Sequence, residues 1–253
     1  MSDLAQAHLT APSKRALYLI TGNAHKVEEF KRLLPSVSLV SLREHPLPSE
    51  PVESEPTFVG NALIKSSAGL ENAQRLGLHA LCLADDSGLS VDALSGEPGV
   101  LSARYVEGSD ADRAHAVLAR LQAAGAHSRE DRAARFTCVL TLSGLTEEDR
   151  TQLITAQLIT SQESDSPSHD PSLDERLSLR GERAPYDLCA VGRFEGYIAQ
   201  RPEGEGGFGY DPIFCARGHE QSVATLSAAQ KDALSHRGRA LELLKPALSL
   251  LLS

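Results

Sequence analysis

Ala80-Leu81-Cys82-Leu83-Ala84-Asp85-Asp86-Ser87-Gly88-Leu89 sets two adjacent carboxylates directly behind an uninterrupted apolar run. The run is too short for a typical helix and reads as a buried strand, with Ser87-Gly88 as the turn that ends it. Two acidic side chains at the end of such a strand are costly to hold together unless something positive binds them. Mg²⁺, which takes one or two carboxylates plus phosphate oxygens, meets that need. A solvated turn is the competing reading, because Asp, Ser and Gly are common turn residues.

Upstream, residues 16–20 form a second apolar run, broken by Thr21-Gly22-Asn23 and followed by a helix with Val27, Phe30, Leu33 and Leu34 on one face. Strand, tight glycine turn and helix make a ready anion site from backbone N–H groups, and Lys26 in the first helical turn adds a point charge. No full P-loop pattern is present. A further strand is expected over residues 38–42, then a proline-punctuated loop carrying Glu50, Glu53 and Glu55. Thr57 caps a helix that Gly77 stops, and Lys65 lies inside it.

Downstream, Ser109 with Asp112 resembles a capping box, and residues 135–142 are rich in β-formers. Residues 145–185 change character to a Ser-, Pro- and Asp-rich stretch that buries little, expected to be a mobile insert within one domain rather than a linker. Strand signals resume over residues 188–198. Gly204-Glu205-Gly206-Gly207-Phe208-Gly209 fits the GxGxxG string, but Tyr210-Asp211-Pro212 cannot open the helix that a dinucleotide fingerprint needs. Glycines that let a backbone approach a flat ligand, with Phe208 and Tyr210 as stacking faces, fit better. Ser227 with Gln230 forms a capping box just ahead of Lys231. Ser235 caps a last helix whose first turn carries His236 and Arg237, cations that oppose the helix dipole.

The 253 residues are 41% hydrophobic, enough for a sizeable core, with no apolar run of transmembrane length. The polar start lacks the order of a secretion signal, which points to the cytoplasm. A net charge of −9 argues against general nucleic-acid binding. Four cysteines without zinc spacing read as reduced core residues, and nine histidines form no metal-binding pattern.

Six segments now stand in order. They are Thr21-Gly22-Asn23-Ala24-His25-Lys26, Thr57-Phe58-Val59-Gly60-Asn61-Ala62, Ala84-Asp85-Asp86-Ser87-Gly88-Leu89, Pro98-Gly99 with Ser102-Ala103-Arg104-Tyr105, Gly206-Gly207-Phe208-Gly209-Tyr210-Asp211-Pro212 and Ser235-His236-Arg237-Gly238. Together they resemble the inosine/xanthosine triphosphate pyrophosphatase family, with one domain over residues 15–246. The resemblance implies an α/β fold of two lobes around a long curved mixed sheet with flanking helices, the nucleotide in the cleft between the lobes, and a homodimer. It implies Mg²⁺-dependent hydrolysis of ITP, dITP or XTP to the monophosphate and pyrophosphate. Asp86 matches the proton acceptor and metal contact, with Asp85 beside it and Lys26 as a catalytic cation. Thr21, Gly22, Asn23, Ala24, His25 and Lys26 match the phosphate-binding turn, and Ser87 a substrate contact. Phe208, Gly209, Tyr210 and Asp211 match the base pocket, and Lys231, His236 and Arg237 the remaining nucleotide contacts. His236-Arg237 would offer donors to a purine O6 and reject adenine.

One departure touches the metal set. The family's Glu-x-Gly-x-Thr-Phe reads Glu53-Ser54-Glu55-Pro56-Thr57-Phe58 here, so the third metal ligand is Glu53 by spacing, with Glu50 and Glu55 as alternatives. Two other functions remain open on sequence: a non-catalytic nucleotide sensor, and a pyrophosphatase for modified pyrimidine nucleotides.

Overall fold

The computed structural model describes residues 15–159 and 177–253. The tail expected over residues 1–14 and the middle of the expected insert, residues 160–176, lie outside the described residues. Strands β1 (Ala16–Ile20), β2 (Leu39–Ser41), β3 (Ala80–Val91), β4 (Ala133–Leu145), β5 (Leu177–Arg180), β6 (Tyr186–Ile198) and β7 (Phe214–Ala216) build one sheet. They lie in the order β2-β1-β3-β4-β6-β5, with β7 also on β6. β1 runs parallel to both its neighbours, and every other pair is antiparallel. The fold is therefore α/β with a mixed sheet.

The helices are α1 (Ala24–Leu33), α2 (Phe58–Leu76), α3 (Asp110–Ala123), α4 (Glu147–Thr155), α5 (Ala228–Leu234) and α6 (His236–Leu251). Local chemistry fixes their starts. Thr57 Oγ1 accepts the Gly60 N–H, Ser235 Oγ accepts the Gly238 N–H, and Ser109 and Ser227 close reciprocal capping boxes with Asp112 and Gln230. Gly77 ends α2 in the left-handed region. One sheet face carries α2, whose Phe58, Val59 and Ala62 pack on Val139, Cys189 and Val191, while Ala73 joins Ile20 and Cys82. The other face carries Phe30 of α1 and Leu241, Leu244 and Leu248 of α6 over Leu81, Leu83, Cys138 and Leu140. A separate cluster at the far end of the long strands joins Leu89, Phe136 and Phe194 to Val117 and Leu121 of α3.

The decisive strand departs from its expected end. β3 does not stop at Ala84, and Ser87-Gly88 is not a turn. Residues Asp85 to Val91 pair with β4 one by one, from Asp85 opposite Leu140 to Val91 opposite Ala134. That ladder comes from a segment some fifty positions away, which overrides the local turn preference of Ser and Gly. Gly88 answers a packing need: a Cβ there would strike the Gly99 carbonyl oxygen and Ser102 Oγ. β1, however, ends at Ile20 opposite Ala84. From Asp85 to Leu89, β3 has no strand partner on that side among the described residues. A crevice opens there beyond the carboxyl end of a parallel strand, where open α/β sheets bind ligands.

The expected insert is narrower than residues 145–185. Thr146 caps α4 through a capping box, Asp149 of that helix pairs with Arg15 at 2.6 Å, and β5 pairs with β6. All four cysteines are buried and free. Among the described residues no helix is long and apolar enough to cross a membrane.

Candidate active site

Strand geometry separates the two aspartates. Successive side chains of a strand point to opposite faces, so Asp85 and Asp86 face different helices. Asp85 turns to the α6 side and is 1% exposed. Its Oδ1 accepts from Lys26 Nζ and from Ser87 Oγ at 2.9 Å, and its Oδ2 from Arg237 Nε at 2.8 Å and Cys138 Sγ at 3.2 Å. Burial alone would raise this carboxyl, but Arg237 and Lys26 outweigh it and hold Asp85 well below the usual carboxylate range. Asp85 thus accepts from two cations, a hydroxyl and a thiol.

Asp86 turns to the α2 side, 6% exposed. Its Oδ1 accepts from Lys65 Nζ at 2.7 Å, while Oδ2 is buried with no hydrogen-bond partner among the described residues. Burial pushes this carboxyl up and Lys65 only partly offsets it. Lys65 also pairs with Glu53 Oε1 at 2.8 Å, and Arg104 clamps Glu53 from behind through Oε2 at 2.6 Å and its carbonyl oxygen at 3.2 Å. Burial would raise Glu53, but Lys65 and Arg104 hold it low. Of the three loop acids, Glu53 is the one brought to Asp86. Glu50 lines the same cavity. Glu55 is exposed and lies against Gly60, where a Cβ would meet its side chain. Its backbone is pinned by Asn61, which accepts the Glu55 N–H at 3.0 Å and donates to its carbonyl at 3.1 Å. The residue that replaces the family's glycine is thus absorbed by a glycine in α2.

The residues fit a divalent cation. Asp86 and Glu53 already share one cation, Lys65, and Asp86 keeps an orphaned buried oxygen. Among the described residues no group of three or more His, Cys, Asp or Glu clusters tightly enough to hold a metal without other ligands. Two carboxylates with the balance from substrate oxygens is the pattern of Mg²⁺ rather than of an all-protein cage.

The turn between β1 and α1 is partly self-satisfied. Asn23 Oδ1 accepts the N–H groups of His25 at 2.9 Å and Lys26 at 3.3 Å, and Thr21 Oγ1 accepts the Asn23 N–H at 3.2 Å. Thr21, Gly22, Asn23 and Lys26 line a cavity of about 360 Å³ that also holds Asp86, Lys65 and Ser87. The exposed His25 stands outside that wall, its ring stacked on Phe208.

The other end of the cavity is a glycine loop. Gly207 and Gly209 flank Phe208 with φ of 74° and 63°. Asp211 Oδ2 accepts the Phe208 N–H at 2.8 Å and Lys231 Nζ at 2.6 Å. Tyr210 is not a second stacking face: its ring is buried and its hydroxyl donates to the Ser102 carbonyl at 2.8 Å. His236 stacks on Phe136, with centroids 4.9 Å apart, and its Nδ1 has no partner. Burial, reinforced by Arg237, pushes its imidazole well below the ordinary range, so it is neutral. Arg237 is held by Asp85, Glu29 and Ser87, the last at 3.1 Å.

The sequence reading missed Glu29, which is buried in α1 and accepts from both Lys231, at 3.1 Å, and Arg237. A charged residue on the apolar stripe beside Phe30 was the available signal. It also missed Gly192 on β6, where a Cβ would strike the His236 carbonyl and the Ala240 amide. That close approach seats the first turn of α6 on the sheet.

A model described as the Ham1 family matches residues 17–164 and 179–247. The break falls inside the expected insert. The dITP/XTP pyrophosphatase of Nocardia farcinica is 39% identical over 238 residues, covering 90% of this chain and 92% of its own. That of Coxiella burnetii is 35% identical over 237 residues, covering 92% and 96%. The solved structure of a Ham1 protein from Coxiella burnetii aligns with a TM-score of 0.68 at 33% identity, over 93% of this chain and 98% of that one. A nucleoside-triphosphatase/dITP/XTP pyrophosphatase from Mycobacterium abscessus aligns at 0.60 with 37% identity, over 91% and 99%.

Proposed function

The chain belongs to the Ham1 family, and from that premise we propose that it hydrolyses non-canonical purine nucleoside triphosphates to the monophosphate and pyrophosphate. The observation that carries the reading is one cavity lined both by the Phe208 ring and by the Asp86–Lys65–Glu53 constellation. The nucleotide would lie along it, in the cleft between two lobes of a domain spanning residues 15–246, with the base on Phe208. Residues 165–178, which lie between the two stretches that the family model matches, fall inside the expected insert at about 145–185 and support it.

Phosphoryl chemistry needs positioning and charge neutralisation more than covalent help. Lys26 and Lys65 stand beside the phosphate turn and supply that charge. Asp86 and Glu53 would hold Mg²⁺, which when bound polarises phosphate oxygens and offsets their charge. Of the two Asp86 oxygens, one would go to the metal and the other would accept the proton of the attacking water. Asp85 fixes Lys26 and Arg237 in place rather than touching the reaction. At the base end the neutral, unpartnered His236 offers a donor toward O6, and an adenine amino group facing it would be rejected.

We place the protein in the cytoplasm as a homodimer. In support of the dimer, the Arg104–Glu53 pair joins two segments that expose Val52, Leu101 and Val106. Sedimentation velocity tests it: a monomer at micromolar concentration rejects it. The function is tested by pyrophosphate release from ITP, XTP, GTP and dUTP with and without Mg²⁺, beside Asp86→Asn. ITP and XTP should lead and the variant should be slower by about 10²–10⁴. Tight ITP binding without turnover in the unmodified protein would refute the enzyme reading, and preference for dUTP the purine reading.

A further inference from the structure

Phe208 is held unevenly. Its backbone is pinned on both sides, by Asp211 at its own N–H and by Asp110, which accepts the Gly209 N–H at 2.6 Å. Its ring meets Lys231 Nζ 4.5 Å from the centroid and the imidazole of His25 at 5.2 Å between centroids, with the planes only 8° apart. Phe208 and Lys231 line the cavity, and the exposed His25 reaches the same ring from the first turn of α1. The His25 backbone is held by Asn23 Oδ1, which accepts its main-chain N–H. The turn that faces the phosphates and the ring that faces the base are therefore joined by one aromatic stack.

We propose that His25 is a positioning residue for the base. Resting on the purine triphosphate reading, this moves His25 from the phosphates to the other end of the ligand: it acts through Phe208. Parallel stacking fixes the tilt of the phenyl ring, and a ring of fixed tilt meets a purine without first paying rotamer entropy. Loss of the stack leaves the phosphate turn intact, since Asn23 and Thr21 hold that turn without the imidazole.

The test is steady-state ITP hydrolysis with pyrophosphate as product inhibitor, for the unmodified chain, His25→Ala, His25→Phe, Phe208→Ala and the double alanine variant. His25→Ala should raise KM for ITP by about two- to tenfold, the range an aromatic pair spans, with kcat and the pyrophosphate inhibition constant little changed. His25→Phe should restore KM, and His25→Ala should have no further effect once Phe208 is alanine. Parallel weakening of pyrophosphate inhibition would make His25 a phosphate contact and overturn the proposal. So would an unchanged KM, or an effect that persists without Phe208. If the unmodified chain releases no pyrophosphate from ITP, the function fails and the proposal with it; turnover with any of the other three outcomes sinks the proposal alone.

Discussion

Neutralising Asp85 and neutralising Asp86 should have opposite consequences, although the residues are neighbours of one type. In Asp85→Asn the amide NH₂ meets Arg237 or Lys26, and Arg237, 1% exposed, keeps Glu29 as its sole carboxylate partner. Removing one partner of a buried pair costs about 3–5 kcal/mol. A chain of this length loses roughly 2–4 °C of Tm per kcal/mol, so the drop should be roughly 6–20 °C. In Asp86→Asn the amide oxygen still accepts from Lys65, and an uncharged NH₂ takes the place of the orphaned oxygen. Stability should change by about 1 kcal/mol or less, since a desolvated charge without a second partner is removed. Activity should fall by about 10²–10⁴, the worth of a positioned general base. The pH dependence sharpens the contrast. Asp85 has a depressed pKa in the folded chain, so its stabilisation is present above the unfolded value of about 3.9 and is lost as pH falls through the folded one. The melting gap for Asp85→Asn should hold across pH 5–8 and close below about pH 4. Thermal melts over that range, with pyrophosphate release at 20 °C, decide it. Equal melting of the two variants, or a larger drop for Asp86→Asn, would refute the division of roles.

His236 is neutral when folded, so below the unfolded value of about 6.5 only the unfolded chain gains a proton. Stability should therefore fall by about 1.4 kcal/mol between pH 7.5 and 5.5 from this residue, and urea unfolding of His236→Phe should lack that part of the slope. Arg104→Ala should cost under about 1 kcal/mol, as for other half-exposed pairs, yet raise the Mg²⁺ concentration for half-maximal rate severalfold; an unchanged Mg²⁺ titration would count against Glu53 as a ligand. Gly192→Ala should destabilise by about 1–3 kcal/mol and raise KM, because the new methyl pushes on the turn that carries His236 and Arg237; a wild-type melt and KM together would exclude it.

What could be read from the sequence was local. The β1 apolar run, the Thr57, Ser109, Ser227 and Ser235 caps and the Gly77 stop each depend on residues within one turn, and each formed where its signal lies. Five of the six segments contribute lining residues to one cavity, residues 57–62 being the exception, because a resemblance carries tertiary information that periodicity lacks. What escaped was set by partners distant in the chain. Ser87-Gly88 became strand because β4 lies alongside. Tyr210 became an anchor because the Ser102 carbonyl is within reach, and Glu29 became a hub because α5 and α6 bring Lys231 and Arg237 to it.

The continuation of β3 past Ala84 is also what makes adjacent carboxylates workable. In a turn, Asp85 and Asp86 would share one solvated space and one cation. In a strand they differ by half a pleat repeat, so each meets a different helix: α6 and α1 supply Arg237 and Lys26 to one, α2 supplies Lys65 to the other. The first is overcompensated and becomes a fixed negative post on which two cations are oriented. The second is undercompensated and keeps a free oxygen. Exchanging the pair's surroundings by one residue of register would exchange those roles, which ties the chemistry of the site to the β3–β4 ladder rather than to the Asp-Asp sequence itself.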